Sequence, residues 1–200
     1  DELDGWIEAD APLLEYREPE LGEADARIAA HAASLVRDGD TLQFGIGSVP
    51  LALGTALANH RQLRIHAGMV TSVLLQLDRA GALDPQARIT TGVSLGDMAL
   101  HQHVAADPRL WFTDVSQTHD IAAIARIPRF VAVNSAVEVD LFGQVNAERA
   151  AGALQAGAGG LPAFAQGAQL SSGGRLLICL RATASRGTVS RIVPALDARG

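Results

Sequence analysis

Thr41-Leu42-Gln43-Phe44-Gly45-Ile46-Gly47-Ser48-Val49-Pro50 holds a short apolar strand, two glycines and the start of a helix within ten residues. Ser48 suits an N-cap and Pro50 suits a first helical turn, predicting a helix that reaches about residue 59. Strand, glycine turn and helix in that order open a βα unit. Glycines let main chain approach a ligand closely, and a helix N-terminus offers unpaired N–H groups to negative charge. Gly45 and Gly47 lack the third glycine of a dinucleotide fingerprint. The acidic residue due about twenty positions later is also missing, since the chain reads Ile65-His66-Ala67 there. Nicotinamide dinucleotide binding is therefore not expected.

The βα pattern spreads outward from this turn. Upstream, Leu21, Ala24, Ile28, Ala32 and Leu35 recur at helical spacing, predicting a helix over about 20–37 that Asp38-Gly39-Asp40 stops. Residues 1–19 are polar and proline-punctuated, an extended lead-in carrying Trp6 and Tyr16. Downstream, strands are expected over 63–66, 88–93, 110–113 and 130–133. Helices are expected over 70–79, about 95–107 and about 118–126. Val137-Glu138-Val139-Asp140-Leu141 alternates and runs into Phe142-Gly143-Gln144, a hairpin signal. The last fifty residues are rich in Gly and Ala and end in two strands, 176–180 and 189–193. The expected fold is α/β: an open, largely parallel sheet with helices on both faces and a hairpin excursion near 136–148.

Two further glycine turns stand out, Gly157-Ala158-Gly159-Gly160 and Ser171-Ser172-Gly173-Gly174. Each alone reads first as a turn, but three at one edge of a parallel sheet raise the prospect of a cleft. Other chemistry-bearing groups carry weaker signals. His101 and His103 are spaced i,i+2 in an expected helix and so point to different faces, which suits solvent better than a metal. Asp114, Ser116 and His119 are near in sequence, but a triad is a matter of geometry that spacing does not establish. Glu138, Asp140 and Glu148 form a carboxylate group whose first reading is a solvated hairpin face. Cys179 lies in the apolar run 176–180 and reads as a buried strand residue. No metal site is expected.

Composition narrows the function classes. With 48% hydrophobic and 19% charged residues, the 200-residue chain can bury a core. A net charge of -6 without a basic stripe argues against nucleic acid. All 16 basic residues are Arg, which removes Schiff-base lysine chemistry. A single cysteine allows no internal disulfide and makes a cytoplasmic, reducing location the default. No apolar run approaches the ~20 residues of a membrane span. The chain opens on Asp1 without Met, and the expectation is an excised or processed piece.

Several segments together resemble the acetyl-CoA hydrolase/transferase family, which includes 4-hydroxybutyrate CoA-transferases. They are residues 42–50, Leu63-Arg64-Ile65-His66-Ala67-Gly68-Met69, the long stretch 133–148, residues 157–164, residues 171–175 and Ser190-Arg191-Ile192-Val193-Pro194. The resemblance covers nearly the whole chain. It implies one domain over 1–200 of the family's C-terminal type, missing its final portion and the N-terminal half.

It also implies chemistry. In such proteins a glutamate carboxylate attacks an acyl-CoA thioester, and an enzyme-bound glutamyl–CoA thioester then hands CoA to an acceptor carboxylate. Main-chain N–H groups stabilise the tetrahedral oxyanions, at roughly 3–4 kcal/mol per well-placed donor. By resemblance, Gln43 lies in the oxyanion region, and Gly45, Gly47, Asn134, Glu138, Gly157, Gly159 and Gly160 contact CoA. The nucleophile falls at Gly68, which has no side chain. Coenzyme A or acyl-CoA is then a substrate and not a resident cofactor. The partners implied are a small carboxylate, with no membrane, and either further copies of the chain or an N-terminal half. Three readings stay open: a CoA-transferase or acyl-CoA hydrolase that activates water with Glu138 or another acid; a catalytically silent acyl-CoA-binding homologue; and a nucleotide-binding α/β module unrelated to CoA.

Overall fold

A computed structural model of the chain describes residue 5, residues 7–150 and residues 153–196; Trp6, placed in the lead-in above, lies outside them. The first helix, α1 (Glu23–Ala33), is shorter at both ends than its periodicity suggested. Asp25 fixes its start by accepting the Gly22 N–H at 3.0 Å. Its Ala29, Ala32 and Ala33 are buried, and it packs on α2 (Ser48–Ala56). Between them runs β1 (Thr41–Phe44), buried along its whole length. The cap of α2 is Gly47 at φ 117°, so Ser48 is its first helical residue and not its cap. An L side chain would be strained at that φ, which is why a glycine ends this turn.

The chain continues through β2 (Arg64–Ile65), β3 (Met69–Val70), α3 (Ser72–Arg79), β4 (Ile89–Thr91), β5 (Val93–Ser94), α4 (Met98–Ala106) and β6 (Leu110–Phe112). The helix expected over 118–126 is two short ones, α5 (Val115–Thr118) and α6 (Ile121–Ala125). Asp120 separates them: its side chain accepts the Ala122 N–H at 2.9 Å and starts a new helix, leaving His119 at the break. Then come β7 (Phe130–Ser135), β8 (Glu138–Asp140), β9 (Val145–Asn146), β10 (Arg149–Ala150), β11 (Ala153–Leu154), α7 (Leu161–Leu170) and β12 (Arg175–Cys179). The segment expected as one strand over 189–193 is two pieces, β14 (Val189–Ser190) and β15 (Ile192–Val193), following β13 (Thr183–Ala184) and a 3-10 turn.

The central sheet runs β12-β7-β1-β2 with every pair parallel. A parallel bridge from His66 to Thr90 carries it on toward β4, which pairs with β6, also in parallel. Strand alternation distributes β7 between two cores. Val131 and Val133 face the larger core beneath α1, α2 and α3, while Phe130 and Ala132 face a smaller one with Ile124 of α6 and Phe164 and Ala168 of α7. Helices thus cover both faces of the sheet at β7, while β6 at the far edge stays largely exposed. The hairpin excursion is β8 against β9, antiparallel with Glu138 opposite Asn146, and β15 adds a parallel strand to β8. Cys179 ends β12 as a buried free thiol, its pKa raised by burial.

Strand order fixes where a ligand can enter. From β1 the chain winds outward through β2, β4 and β6, then returns to the other side of β1 as β7 and proceeds to β12. The winding reverses between β1 and β7. In parallel sheets a crevice opens beyond the carboxyl ends of the two strands at such a reversal. Gln43-Phe44-Gly45 and Asn134-Ser135 are those ends here.

Candidate active site

A cavity of about 610 Å³ occupies that crevice. Gln43 and Asn134 form its floor, their side-chain amides paired across β1 and β7. The Asn134 amide donates to Gln43 Oε1 at 2.9 Å, and the Gln43 amide returns a longer bond to Asn134 Oδ1 at 3.4 Å. Gln43 sits on the strand face opposite Leu42 and Phe44, so β alternation that buries those two apolar residues in the main core directs the amide the other way.

The walls are glycine corners and helix starts. Gly45 and Ile46 come from the turn before α2, Gly68 and Met69 from the β2–β3 connection, and Gly157 to Gly160 from the turn before α7. Asp114 and Val115 bring in the start of α5. The N-termini of α5 and α7 lie on the cavity wall, and the turn leading into α2 adjoins it. The start of α7 and the turn into α2 supply the partial positive charge that favours phosphates and oxyanions, whereas the Asp114 carboxylate already caps the start of α5.

Of the residues singled out from sequence, Gln43, Gly45, Gly68, Asn134, Gly157, Gly159 and Gly160 line this one cavity. Gly47 and Glu138 do not. Gly47 is one residue too deep in the α2 cap, and Glu138 is held in the hairpin ladder opposite Asn146. The carboxylate group around Glu138 does not assemble at the cavity either. Asp140 is buried in the hairpin turn, accepting the main-chain N–H groups of Phe142, Gln144 and Leu196 at 2.9–3.0 Å. The turn at residues 171–174 serves the fold instead: Ser171 Oγ donates to the Ile127 carbonyl at 2.6 Å and accepts the Phe130 N–H at 3.2 Å.

The local trio Asp114, Ser116 and His119 is not a triad. Asp114 accepts the Ser116 N–H at 2.7 Å as the cap of α5, and its bonds to Ser116 hold its carboxyl below the ordinary range. His119 Nδ1 instead meets Thr118 Oγ1 at 2.8 Å. His103, expected in solvent, is half-buried with Nε2 3.5 Å from Asp78 and 3.8 Å from Asp107. Arg109 donates to both of those carboxylates at 2.6 Å, so the cluster already holds its cation. His101 turns another way, with Nδ1 3.2 Å from Ser94 Oγ.

His119 is the cavity residue that gains most from the fold. Its ring packs on Phe164, centroids 4.6 Å apart, and lies against Gly68 and Gly160. A Cβ on Gly68 would stand 2.6 Å from His119 Cε1, and a Cβ on Gly160 would collide with Nε2 and Cδ2. The ring therefore fits only because both neighbours are glycine. Behind it, His66 Nε2 lies 2.9 Å from the Thr118 carbonyl. That oxygen can only accept, so His66 Nε2 carries the proton. Burial lowers the pKa of both histidines, and His119 lowers that of His66 further by charge repulsion.

The relatives agree with this architecture. Residues 96–200 match the acetyl-CoA hydrolase/transferase C-terminal domain. The chain belongs to the acetyl-CoA hydrolase/transferase family. It is 36% identical over 98% of its length to the 4-hydroxybutyrate coenzyme A transferase of Clostridium kluyveri, covering 47% of that protein. It is 32% identical over 98% of its length to the succinyl-CoA:cyclohexane-1-carboxylate CoA transferase of Geobacter metallireducens, covering 46%. Among family structures, the 4-hydroxybutyrate CoA-transferase of Porphyromonas gingivalis superposes with TM-score 0.84 at 33% identity, over 95% of this chain and 46% of the other. RipA from Yersinia pestis superposes with TM-score 0.86 at 30% identity, over 94% and 44%. The chain spans about half the length of the curated relatives it matches. Among the described residues, no helix is long and apolar enough to cross a membrane.

Proposed function

We propose that the cavity at the β1–β7 reversal receives the thioester end of an acyl-CoA, and that the complete protein acts on that thioester without an enzyme-bound glutamyl–CoA. The supporting observation is convergence. The Gln43–Asn134 pair and the glycine corners at 45, 68 and 157–160 meet in one hollow beside helix N-termini, in a chain of a CoA-transferase family. Main-chain N–H groups at such corners suit the developing oxyanion, and the helix starts suit the phosphates of CoA. The co-substrate is either a carboxylate, which takes over the CoA, or water, which takes the acyl group.

Gly68 stands at the position that the resemblance gives to the attacking glutamate, and the adjoining space is taken by His119. A glutamate restored at 68 alone must push the imidazole aside. The test is intact-mass analysis of the complete protein after incubation with acetyl-CoA. Wild type should bind acetyl-CoA and show no added CoA mass. Gly68→Glu combined with His119→Ala should show a CoA adduct, and Gly68→Glu alone a smaller yield. A CoA thioester on the wild-type protein overturns the reading.

A further inference from the structure

The Thr118–His119 pair has the bonding of a built base. Thr118 is buried, and its hydroxyl has one proton and two neighbours: the Asp114 carbonyl at 3.3 Å and His119 Nδ1 at 2.8 Å. Both contacts are hydrogen bonds at once only when the hydroxyl donates to Asp114 O, which can only accept, and accepts from Nδ1–H, and this is the arrangement on which the inference is built. That assigns the His119 tautomer and leaves the lone pair on Nε2, the atom lying against Gly160 and 3.0 Å from the place a Cβ would take on Gly68. Among the described residues no protein group hydrogen-bonds this nitrogen. The arrangement repeats the logic of a base oriented from its far nitrogen, with a buried hydroxyl as the orienting group.

We propose that His119 is the catalytic base of an acyl-CoA hydrolysis in this cavity, standing where a side chain at position 68 would project. The inference rests on the acyl-CoA reading above and adds the water-activating group to it. Water held by Nε2 attacks the thioester carbonyl as its proton passes to Nε2. The carbonyl electron pair moves to oxygen and is stabilised by main-chain N–H groups of the glycine corners. The intermediate collapses with cleavage of the C–S bond. The imidazolium returns its proton to the departing CoA sulfur, giving a free carboxylic acid and CoA thiol with nothing bound to the protein.

Asp114, the carboxylate on the cavity wall, is a poor rival, because it caps α5 and its lowered pKa makes it a weak base. His66 is the other titratable group near the ring, held behind Thr118, while α7 and the turn 157–160 carry none. Burial favours the neutral, basic form of His119 near neutral pH.

The experiment compares the complete wild-type protein with His119→Gln, Thr118→Val and Gly160→Ala, each checked for an unchanged melting temperature. Acetyl-CoA and butyryl-CoA are the probes, thiol release gives kcat and KM, and calorimetry gives binding. Wild type should release thiol without a covalent adduct, with kcat falling on the acid side at a pH lower than the ordinary histidine value of about 6.5. His119→Gln should lose roughly 100-fold or more in kcat with KM little changed. Thr118→Val, which removes the orienting hydroxyl, and Gly160→Ala, which displaces the ring, should lose kcat to a smaller extent. Undiminished kcat in His119→Gln overturns the role of His119 while leaving the acyl-CoA reading standing. Binding of both probes with no thiol release overturns it in favour of a silent binder. Failure to bind either probe removes the acyl-CoA reading itself, and this inference with it.

Discussion

Gln43 is buried to 4% exposure, yet its side chain is an amide with both a donor and an acceptor to satisfy. Asn134 answers both across the strand pair. Asn134→Leu leaves the Gln43 amide without that partner, and stability should fall by about 1–3 kcal/mol. Urea denaturation of the single variants and of the Gln43→Leu/Asn134→Leu double variant checks this, with the double variant costing less than the sum of the two. The residue scale also shows what the sequence concealed. Gly45, Gly157, Gly159 and Gly160 stood out as glycine turns, Gln43, Gly68 and Asn134 were named through the family resemblance, and the fold gathers them. His119 could only be noted as a neighbour of Asp114. Nothing local announces that it will lie against a glycine 51 positions earlier and another 41 positions later.

Elements were legible where periodicity was strong and illegible where a single polar residue decided. The strand–turn–helix at 41–56 and the strands of the central sheet were legible as short apolar runs, but the strand expected over 88–93 is two, β4 and β5, which pair with β6 and with the unforeseen β3 respectively. The stretch 118–126 reads as one helix by its alanines and isoleucines, but the Asp120 cap divides it. Asp120→Ala should cost about 1 kcal/mol by thermal or urea unfolding. It should also let α5 and α6 fray toward one another, altering the setting of His119. The helix α7 was missed: its Leu-Pro-Ala-Phe-Ala-Gln-Gly-Ala-Gln-Leu looks like more of the Gly/Ala-rich tail. Pro162 in the first turn was the available signal. Gly167 is there because Ile124 packs where a Cβ would go, a tertiary reason that sequence does not reveal.

At the scale of the whole molecule, buried titratable groups tie stability to pH in two windows. The folded pKa values of His66 and His119 are lowered, so the unfolded chain takes up protons first as pH falls. Their contribution is complete above the unfolded histidine value of about 6.5 and is lost as pH falls below it. Asp107 is held low mainly by Arg109, so its contribution is present above the unfolded carboxylate value and lost as pH falls through the lower folded one. Unfolding free energy measured from pH 8 to pH 3 should therefore decline in two steps. His66→Gln with His119→Gln should flatten the first, and Asp107→Asn should make the second shallower without removing it, because Asp25, Asp84, Asp114 and Asp140 are also held low.

By itself, the sequence determined the alternation of strand and helix and the glycine corners, because apolar periodicity and turn chemistry are local properties, and its motifs carried the resemblance to the family. Only the tertiary structure decided that the corners share one cavity, that Gly47 and Glu138 stand outside it, and that an imidazole lies where a side chain at 68 would be. Those outcomes depend on the order of strands in the sheet and on space left by two absent Cβ atoms. Both arise from contacts between residues far apart in the chain.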